Sequence, residues 1–60
     1  MQVFNNGQLV TATTKRVDVL EHHHGMVVET RHTIKGPFVV VELAGGMRKS
    51  YRPVNVAIRA

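Results

Sequence analysis

Cysteine and tryptophan are both absent from this 60-residue chain. Without cysteine there is no disulfide framework and no thiolate metal site, and the usual mark of a small secreted domain is missing. Aromatic residues are scarce, with Phe4, Phe38 and Tyr51 the whole supply. That is too few for an aromatic cage. Acidic residues number only 4, and Asp18, Glu21, Glu29 and Glu42 are scattered, so no paired-carboxylate site is visible. There is no glycine-rich phosphate loop, and Ser50 has no histidine close to it in sequence. These absences point away from an enzyme and imply no cofactor. No apolar run is long enough for a signal-peptide core or a membrane span, so a cytoplasmic protein with no membrane partner is expected.

What remains is a single domain, 1–60. A chain of this length buries only about 60% of the surface its unfolded form exposes. Oligomerisation is the usual support for so thin a core, and a homodimer is the expected state. The net charge is +4, unevenly spread. Residues 1–30 set Lys15 and Arg16 against Asp18, Glu21 and Glu29. Residues 31–60 set Arg31, Lys35, Arg48, Lys49, Arg52 and Arg59 against Glu42 alone. Positive potential therefore belongs to the second half, where it suits phosphate or an acidic protein surface. A small domain also carries a charge of this size simply to remain soluble.

The side-chain pattern is that of strands. The apolar start Met1-Gln2-Val3-Phe4 ends at the turn cluster Asn5-Asn6-Gly7, and a first strand resumes at Gln8. Over residues 9–20 the alternation is imperfect, which predicts a bulge or bend near residues 13–16. Three threonines in four residues there favour extended backbone. Glu21-His22-His23-His24-Gly25 interrupts the pattern and predicts a loop and the first hairpin end. Met26, Val28, Thr30, His32 and Ile34 then alternate with Val27, Glu29, Arg31 and Thr33, as in a half-buried strand. Lys35-Gly36-Pro37 is the next turn. Residues 38–43, apolar except for Glu42, are too continuously apolar to assign one wet face and predict the central, most buried strand. Ala44-Gly45-Gly46 returns the chain to Arg48-Lys49-Ser50-Tyr51-Arg52. Pro53 lacks a donor and predicts a 3₁₀ turn over Pro53-Val54-Asn55 before a short last strand. No segment has a helical apolar period with a cap and a stop.

Gly25-Met26-Val27-Val28 opening a strand, a Val-x-Val-x-Leu strand at 39–43, a basic strand with Tyr51, and Pro53-Val54-Asn55-Val56 before the end resemble SH3-like small barrels of the KOW and Tudor type. The resemblance covers the second half of the chain. It implies an all-β, five-stranded SH3-like barrel with a 3₁₀ turn before the last strand, and the likeness to KOW-type domains implies RNA, or RNA polymerase and ribosomal partners.

Arg48, Lys49, Tyr51, Arg52 and Arg59, with Lys35 as outlying support, are the candidate binding residues. In a strand, Arg48, Ser50 and Arg52 project from one face at steps of about 7 Å, so that two arginines flank a hydroxyl, an arrangement that suits phosphates. Tyr51 offers a stacking face for a base or, alternatively, a core ring whose hydroxyl reaches water. An exposed edge strand also uses Lys and Arg to block sheet-to-sheet association. His22 and His24 share one side of their segment, and His32 is the third nitrogen a metal site would need, but the spacing matches no metal motif. A solvated histidine loop beside Glu21, or a pH-sensitive one, fits equally ordinary chemistry.

Two functions follow. The first is a basic regulatory module contacting the phosphate backbone of DNA or RNA, with so few aromatics favouring duplex or structured RNA. The second is a protein–protein interaction module, a phage-like accessory or inhibitor protein that docks on a larger host protein by a sheet edge.

Overall fold

The computed structural model describes residues 4–59, so Met1, Gln2 and Val3 of the expected apolar start lie outside the described residues. Five strands and two short 3₁₀ turns follow in order: β1 (Leu9–Arg16), β2 (Val19–Thr33), β3 (Gly36–Leu43), a turn at Ala44–Gly46, β4 (Arg48–Tyr51), a turn at Pro53–Asn55, and β5 (Val56–Ile58). They form one antiparallel sheet in the order β4-β3-β2-β1-β5. The all-β class and the 3₁₀ turn before the last strand are as the sequence predicts.

Closure of the expected barrel is not seen in the strand pairing. Among the described residues β4 pairs with β3 and β5 pairs with β1, and no ladder joins β4 to β5. The intervening Pro53–Asn55 turn fills part of this gap and touches both β1 and β3. Pro53 has no N–H for a ladder, which is one reason the chain leaves β4 here instead of continuing along it. The sheet is therefore five-stranded and antiparallel, with no closure between β4 and β5 detected.

The 15-residue β2 organises the fold. Its first part pairs with β1, from Arg16↔Val19 to Leu9↔Met26, and its second part pairs with β3, from Gly25↔Leu43 to Thr33↔Gly36. Within β2, only Gly25 and Met26 have paired strand residues on both sides. The strand must turn its faces between these two allegiances, and the register shifts between Val27 and Glu29, with Val28 as the extra residue. Such a bulge bends its strand and increases local twist. The expected bend at residues 13–16 is thus displaced to Val28, and β1 runs unbroken.

The bend lets both parts of the sheet supply one core. Val10 and Ala12 from β1, Val27 from β2, Val39 and Val41 from β3, Tyr51 from β4 and Val56 from β5 are buried together with Phe4. Their spacing of two along β1 and β3 is the strand period. β3 is the most buried strand, as expected, although β2 holds the middle of the order. Val40 is also buried, at 8% exposure, but stands outside that cluster. Burial on both sides explains why residues 38–43 show no wet face in sequence.

The first hairpin end is not at the histidines. β1 and β2 are joined by Val17 and Asp18, closed by the pair Arg16↔Val19. Val17 has φ 54°, a left-handed value that its branched Cβ opposes. Two-residue hairpin turns need positive φ at their first central position to follow strand twist, normally from glycine or asparagine. Val17 is 85% exposed and gains little burial in return. Val17→Gly should relieve strain of about 1–3 kcal/mol while costing about 0.5–1 kcal/mol of chain entropy. A thermal melt by circular dichroism should show a midpoint raised by roughly 5 °C; an unchanged or lower midpoint would mean the turn carries no relievable strain.

Candidate functional site

Of the candidate cations, Lys49 and Arg52 come together in one cleft of about 500 Å³, where the end of β1, the start of β3, β4 and the Pro53–Asn55 turn converge. Lys15 joins them from β1, and Phe38 and Tyr51 contribute aromatic wall. Thr13, Thr14, Ser50 and Asn55 add polar groups. A second groove of about 220 Å³ is lined by Arg52 again, with Lys35, Pro37, Pro53 and Val54. Arg52 is thus the shared wall of two adjoining depressions. Among the described residues no carboxylate lines either one.

The remaining charges explain why this region stays positive. Arg31 Nε donates to Glu29 at 2.9 Å, Arg48 Nε lies 3.4 Å from Glu42, and Arg16 Nε lies 3.9 Å from Glu21. Three of the four acids are therefore each beside an arginine outside the cleft. Lys15, Lys35, Lys49, Arg52 and Arg59 make no ion pair among the described residues. The hydrogen bonds from Arg31 hold the Glu29 carboxyl below its ordinary range against the opposing effect of desolvation, with the fields of Arg31 and Arg48 adding to the lowering. Glu29 reciprocally raises the Arg31 guanidinium. These exposed pairs are salt-screened surface contacts of small energetic worth.

Arg48 and Arg59 stand apart from Lys49 and Arg52. Arg48↔Glu42 is a cross-strand pair, and Arg59 lines a different depression with Leu9, Met26 and Glu42. Strand alternation separates Arg48 from Lys49 as the sequence implies. Thr13, Thr14, Lys15 and Phe38 carry no local mark of a site, because Lys49 and Arg52 are distant from them in sequence. Asn55 alone, three residues after Arg52 in the predicted turn, could have been included.

Tyr51 is 8% exposed and part of the core. Its hydroxyl is buried and has no hydrogen-bond partner among the described residues, so it does not reach water as the core-ring reading expects. A buried polar atom without a partner costs about 1–3 kcal/mol. Tyr51→Phe should therefore match or exceed the parent in urea unfolding, whereas Tyr51→Ala should lose about 3–5 kcal/mol through the cavity. A phenylalanine variant less stable by more than about 1 kcal/mol would reveal a partner for the hydroxyl.

The histidines belong to β2 and are ordered by β1, in place of the expected loop. Thr11 Oγ1 and His24 Nδ1 share a hydrogen bond of 2.8 Å, and Thr13 Oγ1 and His22 Nδ1 share one of 2.9 Å. Both are cross-strand pairs in register. The neighbouring His23 Nε2 lies 3.4 Å from Glu21 Oε2. His32, opposite Pro37 beyond the bulge, is eight residues along β2 from His24. Among the described residues no group of three or more His, Cys, Asp or Glu is placed to share a metal ion.

In comparisons with known proteins the chain matches no family model, no curated protein and no solved structure.

Proposed function

We propose that this chain is a small nucleic-acid-binding module that holds phosphate backbone in the cleft of Lys15, Lys49 and Arg52. One observation carries the proposal: Lys15 of β1 joins Lys49 and Arg52 without a neutralising carboxylate, while Glu21, Glu29 and Glu42 occupy arginines elsewhere. Phosphate contacts of this kind release counterions, so affinity falls steeply with salt. The role is regulatory binding, not catalysis. We also read the sheet as SH3-like, supported by β5 lying beside β1, a long bent β2 shared by both parts of the sheet, and the 3₁₀ turn before β5.

Fluorescence anisotropy with labelled duplex DNA, single-stranded DNA and structured RNA tests the proposal. Binding at about 50 mM salt that weakens at least about tenfold by 200 mM is expected. No binding to any of the three at the lower salt would overturn it.

The alternative, a protein-docking module or homodimer, has its own support. Val17, Val19 and Leu20 are exposed together at the β1–β2 tip, and residues 29–33 of β2 pair on one side only. Sedimentation equilibrium over a range of concentrations separates a self-associating chain from a monomer.

A further inference from the structure

Two of the three aromatic residues, Phe38 and Tyr51, line the same cleft as Lys15, Lys49 and Arg52. Tyr51 is spent on the core, but Phe38 is only half-buried and lies outside the buried core cluster. The adjoining groove continues with Pro37, Pro53 and Val54, and Val54 is strongly exposed. Cations and apolar surface thus occur together in both depressions: Lys15, Lys49 and Arg52 with Phe38 in the first, and Arg52 and Lys35 with Pro37, Pro53 and Val54 in the second. A duplex presents phosphates on its outside and hides its base faces in the stack, so apolar walls between the cations would gain nothing from it. A single strand presents both phosphates and unstacked base faces, and proteins that bind it combine a positive groove with aromatic surface.

We infer that the ligand of this cleft is single-stranded nucleic acid, with a base against Phe38, its phosphates on Lys49 and Arg52, and the next nucleotide running over Pro37 and Pro53 toward Lys35. This rests on the nucleic-acid proposal above and narrows it. Thr13, Thr14, Ser50 and Asn55 supply donors and acceptors for sugar or base edges in either DNA or RNA.

The test compares labelled oligo(dT) and oligo(U) of about ten nucleotides with a duplex of similar length, using the full chain and Phe38→Leu. Leucine keeps apolar bulk while removing the ring face, and a thermal melt checks that the variant folds. If it does not fold, the ring can be read in the parent protein from upfield shifts of the Phe38 ring protons on adding oligonucleotide. The expected result is single strands bound at least about fivefold tighter than duplex, a loss of about fivefold or more in Phe38→Leu for single strands, and little change for duplex. The relative strength of oligo(dT) and oligo(U) then distinguishes DNA from RNA as the source. Duplex bound as well as single strands, or single-strand affinity indifferent to Phe38 with no ring shift, would overturn the inference and leave the phosphate-binding proposal standing. Failure of every nucleic acid to bind at low salt would overturn both.

Discussion

Gly25→Val is expected to leave the chain unfolded at room temperature, and Gly25→Ala to cost about 3 kcal/mol. A Cβ at this position would stand 2.5 Å from Val41 Cγ1 and 2.6 Å from the Glu42 carbonyl oxygen. Neither neighbour can yield easily. Val41 is fully buried among other core side chains, and the carbonyl belongs to the β3 backbone that pairs with Gly25 through Leu43 and with Met26 through Glu42. The site is also where β2 passes from β1 to β3, so a local shift would disturb both ladders. A domain this small has about 3–5 kcal/mol in total, which makes even the alanine change close to decisive. Urea unfolding followed by circular dichroism measures it. The Gly25→Ala, Val41→Ala double variant should lose less than the sum of the two single changes, because truncating Val41 removes the methyl contact and leaves the carbonyl contact in place. A fully stable Gly25→Ala protein would mean that β3 does not approach β2 this closely.

Lys49→Ala combined with Arg52→Ala should reduce nucleic-acid affinity about 10- to 100-fold at low salt and lower the slope of log affinity against log salt by about 2. Both side chains are exposed, so the melting temperature should hardly move. Arg48→Ala should have a much smaller effect on affinity, because Glu42 already lies beside the guanidinium at 3.4 Å. An edge-protection role for the basic strand predicts something else: unchanged affinity in the double variant and a greater tendency to aggregate. Anisotropy at several salt concentrations, with light scattering on the same samples, separates these outcomes.

The strands themselves were legible because their signals are local. Alternation in residues 26–33, the apolar density of residues 38–43, the glycines at 45 and 46 and the proline at 53 each act through near neighbours, and they mark β2, β3, the following turn and the last 3₁₀ turn. The histidine run was misleading for the same reason. Glu21-His22-His23-His24-Gly25 has the composition of a loop, yet Thr11 and Thr13 hold His24 and His22 in a ladder. Gly25, which reads as a turn, instead makes room for β3. The real turn at Val17 and Asp18 was hidden by a β-branched residue in a conformation it disfavours.

By itself, the sequence determined the all-β class, the excess of positive charge in the second half and the 3₁₀ turn, since these depend on side-chain shape, charge and the missing proline donor. Only the tertiary structure decided which strands are neighbours, where β2 bends, and which cations remain unpaired. It also brought Lys15 and Phe38 to Lys49 and Arg52. These are pairings between residues far apart in the chain, set by shared burial and by one missing side chain at Gly25, and no local pattern encodes them.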